Sequence, residues 1–197
     1  MRATTELDAL LVEVRACTVC AASLPLGPRP VLRAASSARL LIVGQAPGTR
    51  VHASGIPWDD PSGVRLREWL ALDDAAFYDE RWVAIMPMGL CYPGKQRGGG
   101  DCPLRPECAP RWRARVRALL PKVELTLLVG AYAQAYYLPE LARATMTERV
   151  RAFADAPRGM FPLPHPSWRV QGWMKRNPWF ESELLPVLRE RVRTLRD

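Results

Sequence analysis

In the segment Leu40-Leu41-Ile42-Val43-Gly44-Gln45-Ala46-Pro47-Gly48, four apolar residues run directly into a turn. A short apolar run that stops at glycine and proline is typical of a buried strand followed by a tight loop. Such a loop presents backbone N–H groups at the mouth of a sheet. We therefore interpret residues 44–48 as the floor of a binding pocket.

Strands and helices alternate through the rest of the chain. Apolar runs predict strands at 82–86 and 123–129 and an extended segment at 161–164, and helical spacing predicts helices at 5–16, 62–72, 111–120, 131–137 and 179–195. This alternation predicts an α/β fold, a three-layer α/β/α sandwich with a central, mainly parallel sheet and active loops after the strand ends. Residues 49–63 are rich in polar residues, proline and glycine, so we expect a functional loop there.

Length and composition indicate a globular protein. The 197 residues fit a single domain over 1–197, and no apolar stretch or secretory pattern indicates a membrane or export, so we expect a cytoplasmic monomer. Twenty-eight basic against 20 acidic residues give a net charge of +8, which favours a polyanionic partner. A solubilising basic surface explains the same composition equally well.

Five cysteines stand at informative positions. Cys17 and Cys20 have the spacing of metal ligands. Cys91 precedes, and Cys102 and Cys108 lie within, a segment from 92 to 110 that holds four prolines and four glycines. Reducing conditions disfavour disulfides, whereas four thiolates can hold zinc or an iron–sulfur cluster. Spacing alone does not decide between the two, and scattered reduced cysteines are the remaining alternative.

Further motifs occur in a fixed order along the chain. Pro57-Trp58 is followed by Gly63, and His165-Pro166-Ser167 comes after the last extended segment. Together with Gly44–Gly48 these motifs resemble the uracil-DNA glycosylase superfamily, and most closely its iron–sulfur branch, family four. The resemblance spans nearly the whole chain.

The resemblance implies a set of site residues. The Trp58 ring would stack on an extruded uracil, and His165 would donate a hydrogen bond to it. The residues expected to bind substrate are Gly44, Ala46, Pro47, Gly48, Trp58, Met86 and Ser167. The expected ligands of a [4Fe-4S] cluster are Cys17, Cys20, Cys91 and Cys108, which leaves Cys102 spare; zinc or no metal are the alternatives.

Two positions depart from the family pattern. Gln45 stands where the branch has a glutamate, and Met86 stands where the family has an asparagine that reads the uracil edge. A methionine side chain cannot make that paired donor and acceptor contact. We therefore expect His165, Gln45 and Asp59 to be the catalytic residues, with Asp59 ahead of Asp60 as the group that activates water. The alternative is that both aspartates cap the helix near residue 62.

Base flipping from a duplex requires phosphate contacts and a wedge residue. Trp168 and Arg169 follow the second motif and are candidates for the wedge. The remaining DNA-binding candidates are Lys95, Arg111 and Lys175. Arg111, Arg113 and Arg115 alternate along one predicted helix, so they cannot all lie on one face.

The resemblance implies a monofunctional DNA-repair enzyme that acts on uracil-containing DNA. It would hydrolyse the N-glycosidic bond of uracil and leave an abasic site. Two alternatives remain open: a protein that binds uracil or damaged DNA without turnover, and a glycosylase for another deaminated base such as hypoxanthine or xanthine.

Overall fold

A computed structural model describes residues 5–141, 143–157 and 159–196. One sheet forms its centre, with strands β1 (Leu40–Val43), β2 (Val83–Ile85), β3 (Leu125–Val129) and β4 (Met160–Leu163). The strand order is β2-β1-β3-β4, and every neighbouring pair is parallel. The sequence prediction of a mainly parallel sheet is therefore confirmed.

Helices connect these strands and cover the sheet. Within the described ranges they are α1 (Glu6–Arg15), α2 (Thr49–Ser54), α3 (Pro61–Leu70), α4 (Asp74–Phe77), α5 (Cys108–Ala118), α6 (Ala131–Tyr137), α7 (Met146–Arg151), α8 (Val170–Arg176) and α9 (Leu185–Thr194). A π-helical turn, Phe180–Leu184, leads into α9. None of the described helices is both long enough and apolar enough to cross a bilayer.

Side chains that alternate along the strands form two apolar layers. Leu40 and Ile42 of β1 pack in a cluster with residues of α3 and α9. Leu41 and Val43 point to the other face and pack with residues of α1 and α5. Because successive residues of a strand face opposite sides of the sheet, the four-residue β1 supplies both layers. The predicted three-layer α/β/α sandwich is confirmed.

Four short helices, α2, α4, α7 and α8, were not predicted from the sequence, and the predicted helix α5 begins earlier than expected. The segment 49–63 was expected to be irregular, but its first six residues form α2, which ends where Gly55 adopts a left-handed conformation (φ 75°). The prolines and glycines lie after this point, so the composition of the whole segment concealed the short helix. Helix α5 begins at Cys108, three residues earlier than predicted.

Candidate functional site

A cavity of about 210 Å³ opens beyond the carboxyl ends of β1, β2 and β4. The turn after β1 forms one side of it, and the segment after β4 supplies another. Eight of the residues expected to bind substrate or to act in catalysis line this cavity: Gly44, Gln45, Ala46, Pro47, Gly48, Trp58, His165 and Ser167. Ligand sites in open parallel sheets commonly lie at this edge.

The Trp58 indole depends on two glycines for its position. Trp58 has a left-handed backbone (φ 60°), which is unfavourable for a bulky residue. A Cβ at Gly63 would lie 1.7 Å from the Trp58 carbonyl oxygen, and a Cβ at Gly44 would lie 2.8 Å from the indole Cζ2. No other residue fits these two positions without displacing Trp58.

His165 lies beside Trp58 in the cavity. The centroids of the two rings are 5.8 Å apart, and the ring planes are inclined by 36°. Desolvation by burial lowers the pKa of His165 below its usual value of 6.5, and the nearby charge of Asp60 partly opposes this effect. The imidazole is therefore neutral at pH 7 and has one N–H to donate.

Two side chains that the sequence prediction missed hold the segment around His165. Buried Gln134 on α6 donates from Nε2 to the carbonyls of Leu128, at 3.3 Å, and Leu163, at 2.8 Å. Arg65 on α3 donates to the carbonyls of Pro166, at 2.9 Å, and Ser167, at 3.0 Å. A glutamine and an arginine in amphipathic helices carry no sequence signal that distinguishes them from surface residues.

The structure brings Asp60, rather than Asp59, to the cavity. Asp59 lines a separate surface depression beside Arg50 and Arg67, whereas Asp60 lines the cavity together with His165. Asp60 also caps α3, because its Oδ1 accepts a hydrogen bond from the Gly63 N–H at 2.8 Å. The expectation that Asp59 takes precedence is therefore corrected, and the capping alternative holds for Asp60.

Met86 does not line the cavity. Its side chain is 2% exposed and packs among α1, α5 and the sheet. The neighbouring residues Ile85 and Pro87 line the cavity instead, since side chains alternate at the end of β2. The expectation that Met86 contacts a base is therefore wrong.

A buried arginine fixes the end of β2. Arg113 of α5 is 2% exposed and donates to the carbonyls of Met86, at 3.1 Å, and Pro87, at 2.8 Å, and to the Tyr137 hydroxyl, at 2.9 Å. A charged side chain is costly to bury unless it is hydrogen-bonded, and these three hydrogen bonds offset that cost. They also fix the main chain at the end of β2, next to the cavity. The sequence predicted only that Arg111, Arg113 and Arg115 cannot all lie on one face of the helix, and the burial of Arg113 agrees with that.

A second cavity brings four cysteines together. It is lined by Cys17, Cys20, Cys91 and Cys108, whereas Cys102 does not line it. No group of three or more His, Cys, Asp or Glu side chains in the described ranges is arranged to hold a single metal ion. The four thiols thus surround a common space without closing on one point.

Burial and the proximity of the other thiols disfavour the charged forms of Cys20, Cys91 and Cys108. Burial raises the pKa of Cys91 to about 11 and raises the pKa of Cys20 and Cys108 above their usual value. The Leu90 N–H donates to Cys108 Sγ at 3.3 Å, a contact that favours a thiolate. A group that binds these sulfurs must displace their protons.

The predicted DNA-binding side chains occupy different parts of the surface. Trp168 is 73% exposed next to the cavity, with the Arg169 guanidinium 5.0 Å from its ring centroid. Lys95 and Lys175 are exposed. Arg111 lies over Trp112 and lines the cysteine cavity.

Most of the chain matches the model of a known protein family. A family model described as Uracil DNA glycosylase superfamily matches residues 32–189. The match includes the turn after β1, Trp58, the segment 165–167 and two of the four clustered cysteines. Cys17 and Cys20 lie before the matched residues.

Proposed function

The chain belongs to the uracil-DNA glycosylase superfamily, and from this premise we propose that it hydrolyses the N-glycosidic bond of uracil in DNA and leaves an abasic site. One observation carries the proposal: Trp58, His165 and Asp60 face the same cavity at the strand ends. Its volume, about 210 Å³, is below the roughly 300–1,000 Å³ of pockets for drug-sized ligands and suits a single base.

His165 would stabilise the departing base. Cleavage sends the bonding electron pair to uracil N1, so negative charge spreads to the two carbonyl oxygens of the base. A neutral imidazole N–H can donate to one of these oxygens without first losing or gaining a proton. Loss of one such donor costs about 3 kcal/mol of transition-state stabilisation. The N–H groups of the turn at 44–48 can support the same charge.

Asp60 is suited to the sugar side of the reaction. Only its Oδ1 is engaged in the cap of α3, which leaves a second carboxylate oxygen for the cavity. That oxygen would stabilise the cationic sugar and accept a proton from the attacking water as the water oxygen bonds to the sugar carbon. Gln45 lines the same cavity and would orient the water without deprotonating it.

The reaction requires the base to leave the helix. Extrusion costs a few kcal/mol, which an intercalating side chain and phosphate contacts can offset. Trp168 is exposed beside the cavity and suits the intercalating role. Neither Gly44–Gly48 nor His165–Ser167 contains a lysine that could form a Schiff base, which favours a monofunctional enzyme.

The cysteine cavity supports a [4Fe-4S] cluster held by Cys17, Cys20, Cys91 and Cys108. A single zinc ion needs its four ligands at one point, with Zn–S bonds of about 2.3 Å, and a four-iron cluster spaces its sulfurs more widely. Four thiolates can hold either group, and the resemblance to the iron–sulfur branch of the family is what favours the cluster over zinc. When bound, it would join the end of α1, the segment after β2 and the start of α5 through metal–thiolate bonds.

A uracil excision assay tests the proposal. The chain is incubated with an oligonucleotide that carries one uracil, abasic sites are cleaved with alkali, and the products are separated by size. We expect cleavage at the uracil position. Retarded migration of intact DNA without cleavage would instead favour a protein that binds uracil-containing DNA without turnover. Cleavage only at hypoxanthine or xanthine would show that the substrate is another deaminated base.

A further inference from the structure

The segment between Cys91 and Cys108 forms a hairpin that reaches the base cavity. The Cys102 N–H donates to the Gly94 carbonyl at 2.8 Å, and the Gln96 N–H donates to the Gly100 carbonyl at 3.0 Å. Lys95 and Asp101 face each other as an antiparallel bridge between these contacts. These contacts hold Asp101 in a defined place although three consecutive glycines, Gly98–Gly100, precede it.

Asp101 supplies a carboxylate to the cavity that the sequence did not reveal. It lines the cavity together with Gly48 and Gln45. A Cβ at Gly48 would lie 3.8 Å from Asp101 Oδ2, so the carboxylate sits beside the turn at the position that a larger residue would crowd. The side chain thus reaches the pocket floor from a different part of the chain.

The Asp101 carboxylate has no hydrogen-bond or ion-pair partner among the described residues. The contact from Gln96 Nε2 reaches only the Asp101 main-chain oxygen, at 3.3 Å. Asp101 is exposed to solvent as a whole, but desolvation on its cavity side raises the pKa of its carboxyl group, with a smaller contribution from Asp60, and Lys95 opposes that rise. An acceptor that faces a cavity without a partner gains most from a ligand that donates to it.

Deamination changes the ring atom that a base presents to such an acceptor. Cytosine N3 and adenine N1 carry a lone pair, whereas uracil N3 and hypoxanthine N1 carry a hydrogen. A carboxylate that meets the N–H forms a charge-assisted hydrogen bond. A carboxylate that meets the lone pair loses its contact with water once the base covers it and gains no partner in return, and a site of this kind rejects the unmatched base.

We propose that Asp101 is a specificity-determining residue that accepts a hydrogen bond from the ring N–H of the extruded base. This proposal rests on the proposed glycosylase function and adds the group that separates deaminated from normal bases. No side chain at the end of β2 reads the base edge in this chain, because Met86 stands where the family has an asparagine and packs in the core. Ile85 and Pro87, which line the cavity from the same strand end, offer no polar side chain.

The test compares the unsubstituted chain, Asp101→Asn and Asp101→Ala on oligonucleotides that carry uracil, hypoxanthine, cytosine or adenine at one position. Single-turnover excision rates are measured for each. We expect Asp101→Ala to slow uracil excision by about 10- to 100-fold. Asp101→Asn keeps an acceptor and adds a donor for cytosine N3, so it should retain uracil excision within about tenfold and lower the uracil-to-cytosine rate ratio by about tenfold or more.

Asp155→Asn is the matched control, because it removes the same charge from an exposed residue that does not line the cavity. Its rate ratios should equal those of the unsubstituted chain. Unchanged ratios in both Asp101 variants would overturn the proposal and leave the glycosylase function intact, as would an equal loss on every base. No excision of any base by the unsubstituted chain would overturn both proposals.

Discussion

The imidazole of His165 lies 5.8 Å from the indole of Trp58, centroid to centroid, at the edge of the sheet where β1 and β4 end. The two residues are 107 positions apart in the chain and meet because both strands are parallel and end at the same edge. A base that stacks on the indole would therefore lie within reach of the imidazole N–H.

Replacement of His165 should slow excision without unfolding the protein. We expect His165→Ala to lower the single-turnover rate on a uracil oligonucleotide by about 100-fold, the usual effect of losing one donor to a developing anion. The control is His52→Ala, which changes the other of the two histidines. His52 lies on α2 outside the cavity, with its ring 6.0 Å from Tyr92. Equal rates for both variants would rule out the assigned role of His165.

The same histidine should make stability depend on pH. Its pKa in the folded chain is below the usual 6.5, so the unfolded chain binds more protons in the interval between these values. The stability that His165 contributes is complete above about pH 6.5 and declines as the pH falls through the lowered pKa. Urea unfolding at pH 7.5 and 5.5 should show a smaller loss of stability for His165→Asn than for the unsubstituted chain. An identical loss in both would show that another group causes it.

Two helical glycines should respond to alanine in opposite directions. Gly63→Ala would drive a Cβ to within 1.7 Å of the Trp58 carbonyl oxygen, and we expect a loss of about 1–3 kcal/mol in unfolding free energy. Gly172 in α8 has space for a Cβ, whose nearest neighbour would be Arg176 Nη1 at 3.8 Å. Gly172→Ala should therefore stabilise the protein, by up to about 1 kcal/mol. Stabilisation by both would contradict the packing at Gly63.

The cysteines offer an internal control for the cluster. We expect the purified protein to be brown, to absorb at about 400 nm, and to contain bound iron and sulfide. Serine at Cys17, Cys20, Cys91 or Cys108 should abolish the band, since each lines the same cavity. Cys102→Ser should retain it. A colourless protein with one equivalent of zinc would indicate a mononuclear site instead.

Trp168 should matter for duplex DNA more than for single strands. Only a duplex opposes base extrusion, so removal of an intercalating side chain should slow duplex excision selectively. We expect Trp168→Ala to lower the duplex rate by about tenfold and to change the single-strand rate much less. Tyr132→Ala, which removes another exposed aromatic ring, should affect neither. Equal losses on both substrates would point to a role in packing or general binding.

Local patterns predicted the strands, the layers and the motif residues that meet in the cavity. The apolar run before Gly44 identifies β1, and the resemblance to the iron–sulfur branch of the family identifies the four cysteines that share a cavity. The sequence does not reveal which of two adjacent residues faces the site. Asp60 rather than Asp59 enters the cavity because of the left-handed turn at Trp58 and the cap on α3.

Long-range placements had no local signal. Asp101 reaches the cavity through a hairpin whose closure depends on contacts between Gly94 and Cys102, and Arg113 is buried by the end of β2. An arginine in a basic helix and an aspartate after three glycines both look like surface residues. Only the tertiary structure places Asp101 at the base cavity and buries Arg113 against the end of β2.

Helix α1 contributes Leu7, Leu10, Leu11 and Val14 to one of the two apolar layers, and Glu13 pairs with Arg115 of α5 at 3.0 Å. It lies entirely before residue 32, where the match to the family model begins. The part of the chain that packs into one core is therefore longer than the range that the family model matches. A fragment trimmed to residues 32–189 would uncover the apolar side of α5 and lose half of the clustered thiols. The limits of the family match are therefore unsuitable as the ends of an expressed fragment.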